Sequence, residues 1–116
     1  MKIDLADVAK KKGIKYFLIS FTDLFGVQRS KLAPAAAIAD MQANGAGFAG
    51  FATWLDMTPA DSDMFAMPDP ESLIQLPWKR EVGWLAADPW MDGKPVAHEL
   101  ARVRTEQVAP VVRAID

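Results

Sequence analysis

The spacing of apolar residues near the start of the chain predicts a short helix. Leu5 and Ala9 lie one helical turn apart, and Asp4 precedes them at the position of an N-cap. Gly13 stands where a helix of this length ends. The lysine run 10–12 falls in the predicted last turn, where positive charge favours the helix dipole. We therefore interpret the lysines as a helix-ending signal.

A β-hairpin is predicted next. The apolar run IKYFLISF (14–21) is rich in aromatic and β-branched residues, which indicates a buried strand. It leads into TDLFG, where Asp23 and Gly26 occupy the first and fourth positions that a type I turn favours. The following VQRSKLAP (27–34) is more polar, which is typical of a strand nearer to a sheet edge.

A second helix and two further strands follow the hairpin. PAAAIADMQAN (34–44) predicts a helix that begins at a proline and ends at Gly45. ESLIQLPW (71–78) and EVGWLAADPW (81–90) are strand candidates.

The last part of the chain, 97–116, has apolar residues at helical intervals. Pro110 lies within this pattern, and we expect it to kink or break the helix. Strands joined by short turns, with helices packed across them, predict an α+β fold that ends in a C-terminal helix.

Residues 50–69, GFATWLDMTPADSDMFAMPD, follow neither period. Aromatic residues and methionines are mixed with aspartates, and Pro59 and Pro68 interrupt the segment. Two interpretations stay open from the pattern: a loop packed over the core, or the rim of a site.

Composition excludes several classes of protein. The 116 residues are 51% hydrophobic and 24% charged, as in ordinary globular domains, and the net charge is −2. The basic residues are spread along the chain, which argues against a nucleic-acid-binding face. There is no cysteine, and no apolar run approaches the length of a membrane span or a secretory signal. A cytoplasmic protein is the expectation.

The residues themselves do not predict a complete catalytic or metal site. His98 lacks a second histidine at ligand spacing, and GAGFAG (45–50) follows a helix instead of a strand, unlike a dinucleotide-binding loop. A calcium loop starting at Asp61 would need glycine at its sixth position and glutamate at its twelfth, where Ala66 and Ser72 stand. We expect no metal site in this chain.

Three segments, in order, resemble the N-terminal β-grasp domain of the glutamine synthetase family. YFLISFTDLFGVQRSKLAP resembles its opening hairpin, and DSDMFAMPDPES resembles its E-S-D-M-x-L-x-P-D segment. DPWMDGKPV resembles the D-x-x-x-x-D-G-x-P stretch that closes the domain. The resemblance implies a small mixed β-grasp sheet with packed helices over residues 1–96, and a helical tail over 97–116.

The resemblance also implies a function. In that family a large C-terminal domain uses ATP and Mg²⁺ to phosphorylate glutamate, and ammonia then displaces the phosphate. The small N-terminal domain completes the active site of a neighbouring subunit in a homo-oligomer, so this chain is not expected to be catalytic alone. Residues 50–69 then belong to an active-site rim at a subunit interface. The rim and interface candidates are Ala49, Gly50, Phe51, Trp54, Asp56 and Asp63.

One departure from the family pattern bears on the amine substrate. The family usually carries D-G-S-S before E-S-D-M, and its aspartate helps to bind ammonium; the corresponding position here is Ala49. An apolar pocket tolerates an alkylamine better than a carboxylate-lined one. This favours a branch resembling the type III glutamine synthetases and glutamate–methylamine ligases, although Asp56 or Asp63 could supply the charge instead.

Two other functions stay open from the sequence. A stand-alone β-grasp interaction module without catalysis is one, because this fold carries many unrelated functions. A free-standing small-molecule-binding domain at GAGFAG (45–50) is the other.

Overall fold

The computed structural model describes residues 2–22, 27–48, 64–91, 94–95 and 107–114. Within them, the helices are α1 (Leu5–Lys12), α2 (Ile38–Asn44) and α3 (Val108–Ala114), with 3-10 turns at Ala35–Ala37 and Pro70–Ser72. The strands are β1 (Tyr16–Thr22), β2 (Gln28–Pro34), β3 (Ala46–Phe48), β4 (Met64–Pro68), β5 (Ile74–Gln75), β6 (Val82–Met91) and β7 (Lys94–Pro95).

Helix α1 has the ends that the sequence predicts. The Asp4 carboxylate accepts hydrogen bonds from the backbone N–H groups of Ala6 and Asp7, at 3.0 and 3.4 Å. Gly13 closes the helix in the left-handed conformation, at φ 70°. On the exposed face, the Asp7 carboxylate hydrogen-bonds Lys11 at 2.9 Å and raises the pKa of that lysine.

The predicted hairpin is confirmed. β1 and β2 pair antiparallel from Tyr16 opposite Pro34 to Thr22 opposite Gln28. β1 is mostly buried and β2 mostly exposed, and β2 ends the strand order of the sheet, as its polarity indicates. The turn predicted at 23–26 lies outside the described residues.

The sheet is mixed and has the order β2-β1-β6-β4-β3, the arrangement of a β-grasp fold. β1 and β6 are parallel neighbours in its centre, with Tyr16 opposite Val82 and Ser20 opposite Ala86. The other pairs are antiparallel, including β3 with β4, and β5 and β7 with β6.

The two faces of the sheet carry separate hydrophobic clusters. Helices α1 and α2 cover the first face, and α3 contributes to the second. The first cluster contains Leu5, Ala9, Ile14, Phe17, Ile19, Phe21, Ala33, Ile38, Ala46, Met64, Ala66, Leu85 and Ala87. The second contains Ile74, Leu76, Val82, Trp84, Ala86 and Val112. β1 and β6 supply both clusters because neighbouring side chains of a strand point to opposite faces.

Along one side of β6, the neighbouring strand changes from β5 to β4. β5 pairs with the first half of β6 and β4 with its second half, so Ala86 lies between the two pairings. There the backbone N–H of Asp69 donates to the Ala86 carbonyl at 2.9 Å. The Ser72 hydroxyl accepts from the Ala86 N–H at 2.9 Å and donates to the Asp69 carbonyl at 2.6 Å. A side chain thus replaces one bond of the ladder.

The prediction of a strand over 71–78 is wrong for most of that range. A 3-10 turn spans Pro70–Ser72, and strand structure is limited to Ile74–Gln75. Asp69 caps the turn by accepting from the Glu71 N–H at 3.0 Å, and Pro70 is preset for its first position. These local signals override the apolar pattern.

Three strands were absent from the sequence prediction: β3, β4 and the two-residue β7. β3 lies in the glycine-rich stretch after α2, and β4 lies in the segment predicted to be irregular. β3 and β4 form because they pair with one another, and neither segment has an apolar pattern that indicates a strand.

The predicted helices are present with shifted bounds. The residues after Pro34 form a 3-10 turn before α2 begins, and Gly45 ends α2 as predicted. Pro110 does not break α3, because it lies in the first turn, where backbone N–H groups have no partner within a helix. The predicted helical pattern over 97–106 lies outside the described residues.

Replacing Ser72 by alanine is expected to lower the free energy of unfolding by about 1–3 kcal/mol, because the buried Ala86 N–H loses its acceptor. Urea unfolding of the chain measures the effect. The matched control is Glu71→Ala, an exposed neighbour in the same turn, expected to change stability by less than about 0.5 kcal/mol. Equal stability of the two variants would contradict the bridging role of Ser72.

Gly45→Ala is expected to destabilise the chain by at least about 1 kcal/mol more than Gly13→Ala. Both glycines have positive φ, 85° and 70°. A Cβ at Gly45 would lie 2.8 Å from the Met67 Sδ and 3.0 Å from the Phe65 Cβ, whereas one at Gly13 meets nothing within 4 Å. The difference in urea midpoint between the variants isolates the steric part, and similar midpoints would show that β4 does not lie against Gly45 in solution.

Candidate functional site

The six rim candidates lie outside the described residues, so the structure does not test their predicted roles. They are Ala49, Gly50, Phe51, Trp54, Asp56 and Asp63. What the structure describes is the pair of strands on either side of the segment 49–63 that contains them.

These two strands are held next to one another. β3 and β4 pair with Ala46 opposite Ala66 and Phe48 opposite Met64. Phe48 and Met64 are the last described residue before segment 49–63 and the first after it. Both ends of segment 49–63, which contains most of the predicted rim 50–69, therefore start from one place at the end of the sheet, and the last part of that predicted rim is β4 itself.

An aromatic contact connects β3 to the first hairpin. The rings of Phe21 and Phe48 meet edge to face, with centroids 4.9 Å apart and planes at 88°. Phe21 and Met64 are fully buried, so this end of the site is built on the core of the first face.

A lysine from β2 also reaches β3. The Lys31 Nζ donates a hydrogen bond to the Gly47 carbonyl at 3.1 Å and lies 6.0 Å from the centre of the Phe48 ring. Sequence reasoning missed this residue, because nothing in the pattern VQRSKLAP shows which strand the lysine contacts.

The second face of the hairpin carries a polar row that was also missed. The Ser20 and Ser30 hydroxyls hydrogen-bond at 2.7 Å, and the Gln28 amide donates to the Thr22 hydroxyl at 2.5 Å. Ser20 and Thr22 are buried. The sequence did carry a signal for this row. Ser20 and Thr22 alternate with the apolar Ile19 and Phe21, and alternate residues of a strand share a face.

The described residues form clefts whose linings mix polar and apolar side chains. One of about 510 Å³ lies between α1, α2 and the end of β4, where the Gln42 amide is already engaged with the Leu5 N–H and the Ile3 carbonyl. It is lined by Lys2, Ile3, Asp4, Ala39, Gln42, Ala43, Pro68 and Pro70.

A smaller cleft of about 280 Å³ lies where α3 meets the sheet. Its lining is Asp69, Glu71, Ser72, Trp84, Ala86, Ala109 and Arg113.

Across the described ranges, no three His, Cys, Asp or Glu side chains come together to hold a metal ion. Among the helices described here, none is long and apolar enough to span a membrane.

Comparison with known proteins identifies relatives, although no family profile matches the chain. A glutamine synthetase of Rhizobium leguminosarum bv. phaseoli is 68% identical over 96 residues, which are 83% of this chain and 22% of the relative. A glutamate–methylamine ligase of Methyloversatilis universalis is 35% identical over 104 residues, 88% of this chain and 24% of that ligase.

Solved structures agree in fold. A GmaS–ADP complex superimposes with a TM-score of 0.79 and 71% identity, over 81% of this chain and 22% of GmaS. GmaS without ligand matches with a TM-score of 0.78 and 72% identity. The chain thus spans about a fifth of the length of its relatives.

The three matched segments, the mixed sheet with parallel β1 and β6, and the agreement with both relatives and solved structures all lead to one assignment. The chain belongs to the glutamine synthetase family, and it corresponds to the N-terminal β-grasp domain of that family.

Proposed function

We propose that this chain is the N-terminal domain of an ATP-dependent ligase that joins glutamate to ammonia or an alkylamine. The observation that carries the proposal is the 71% identity to GmaS in its ADP complex, at a TM-score of 0.79. The 68% identity to a rhizobial glutamine synthetase supports the same reaction class.

The chemistry is assigned to the remainder of the ligase, because this chain matches only about a fifth of its relatives. There, ATP with Mg²⁺ phosphorylates the glutamate carboxylate, and the amine displaces the phosphate to form a carbon–nitrogen bond. This chain is proposed to act only as part of that assembly, in the cytoplasm.

The contribution of this domain is a rim across a subunit interface. Residues 49–63 leave β3 and return to β4 at one place, and Lys31 and the Phe21–Phe48 contact hold that place against the first hairpin. Phe65, the residue after this start of β4, is 42% exposed. An exposed aromatic side chain is suited to the core of a protein interface, here with a second copy of the ligase.

The amine pocket is proposed to favour an alkylamine. Ala49 offers a methyl group where the family pattern carries an ammonium-binding aspartate, and it directly follows Phe48 of β3. The high identity to GmaS agrees with this preference, whereas the rhizobial relatives are named for glutamine synthesis. Asp56 and Asp63 are the alternative sources of charge near the amine.

A second candidate function is a β-grasp interaction module without catalysis. The observation that favours it is an exposed apolar patch on the second face of the hairpin, where Leu32 is 57% and Tyr16 41% exposed. The two candidates differ in one requirement, since the ligase needs a catalytic domain and the module does not.

A chimera tests the ligase. In it, the 96 residues of the Rhizobium leguminosarum glutamine synthetase that match this chain are replaced by those of this chain. We expect the chimera to form the oligomer of the parent and to release phosphate from ATP in a glutamate- and amine-dependent manner, because the rim and interface are retained. Phosphate release and light scattering measure the two properties.

The parent without these residues is the control and is expected to be inactive, as is the isolated 116-residue chain. An assembled but inactive chimera would contradict the proposed rim. Phosphate release by the isolated chain would contradict the assignment of catalysis to the remainder of the ligase.

Ala49→Asp in the chimera is expected to shift kcat/KM about tenfold from methylamine towards ammonium, because a partly desolvated carboxylate favours the smaller, more strongly hydrogen-bonding cation. Competition between the two amines measures the ratio. The control is Ala36→Asp, at an exposed alanine in the turn before α2, which is expected to leave the ratio unchanged. An unchanged ratio of kcat/KM between the two amines in Ala49→Asp would contradict the proposed position of the amine beside residue 49.

A further inference from the structure

Strands β2 and β3 lie at opposite ends of the strand order, yet their side chains and backbone meet. Four strand spacings separate the end strands of the order β2-β1-β6-β4-β3, which is about 19 Å in a flat sheet. A lysine side chain cannot cross that distance. The 3.1 Å bond from the Lys31 Nζ to the Gly47 carbonyl therefore requires a sheet that is curled until its two ends approach.

Lys31 is placed for this contact by the hairpin register. It lies opposite Ile19 of β1, and Ile19 belongs to the cluster on the first face. The lysine stem thus extends on the same face as Phe21 and Phe48, whose rings are in contact beneath the curl. The ammonium group, 6.0 Å from the Phe48 ring centre, can interact with that ring as well as with the carbonyl.

The contact joins two parts of the sheet whose backbones are otherwise paired only through β6, and it lies beside the Phe21–Phe48 ring contact. β1, β2 and β5 pair around the first half of that strand, and β3, β4 and β7 belong to its second half. The angle between these halves determines where Phe48 lies relative to the first hairpin. Lys31 is solvent-exposed, so its removal is expected to change this angle without unfolding the core.

We infer that Lys31 is a positioning residue of the proposed ligase, holding Gly47 and Phe48 against the first hairpin and thereby setting the amine side of the active site. The catalytic part of this inference, the effect of Lys31 on the amine side of the active site, rests on the proposed function. The contact itself does not depend on that function, and the two can be tested separately.

The first test is amide hydrogen exchange of the 116-residue chain. Lys31→Met keeps an unbranched side chain and removes the donor. We expect the amides of β3 and β4 to exchange about fivefold faster, which is the effect of losing one hydrogen bond, while those of β1 change less than twofold. Lys31→Arg, which retains charge and donors, is expected to restore the wild-type rates.

Lys15→Met is the matched control. Lys15 is exposed and directly precedes β1, and its backbone hydrogen-bonds Glu81 and Ala35. We expect no change in β3 or β4. Unchanged exchange in Lys31→Met, or an equal change in both variants, would overturn the contact.

The second test is kinetic and uses the chimera. We expect Lys31→Met to raise the KM for the amine about fivefold, with kcat and the KM for ATP within twofold of wild type, because binding of the amine alone is affected. A fall in kcat with no change in the KM for the amine would overturn the positioning role. A wild-type chimera without activity would instead refute the proposed function, and the exchange experiment would still decide whether Lys31 holds β3.

Discussion

Parallel pairing of β1 with β6 is the constraint on which the rest of the structure depends. Parallel neighbours cannot be joined by a tight turn, so the chain between them must cross over the sheet. That crossing accommodates β2, α2 and the β3–β4 pair before the chain returns to the centre. Both central strands are buried on two faces, which is why the domain has two hydrophobic clusters instead of one.

The length of β6 has a structural consequence. One strand supports the first hairpin with its first half and the β3–β4 pair with its second half. Ser72 hydrogen-bonds the backbone of β6 between its pairings with β5 and β4. Lys31 and the Phe21–Phe48 contact connect the two ends of the sheet. The proposed function, a rim that completes an active site in another subunit, requires this type of rigidity, because displacement of the rim would misplace the amine.

Prediction from sequence succeeded where the signal is local. The Asp4 cap, the Gly13 ending, the hairpin and the long strand β6 are confirmed, because each depends on neighbouring residues. It failed over 71–78, where the Asp69–Pro70 start of a 3-10 turn overrides the apolar pattern, and it missed β3 and β4. The roles of Ala49, Gly50, Phe51, Trp54, Asp56 and Asp63 stay predictions, since these residues lie outside the described ranges.

The sequence by itself determined the fold class, most of the element types and, through three motif segments, the family. Only the tertiary structure decided which strands are neighbours, that β3 and β4 exist as a pair, and that a lysine of β2 contacts a carbonyl of β3. The physical reason is the range of the interactions. Caps and turns depend on residues within a few positions of one another, whereas strand pairing and the curl of a sheet depend on backbone groups far apart in the chain.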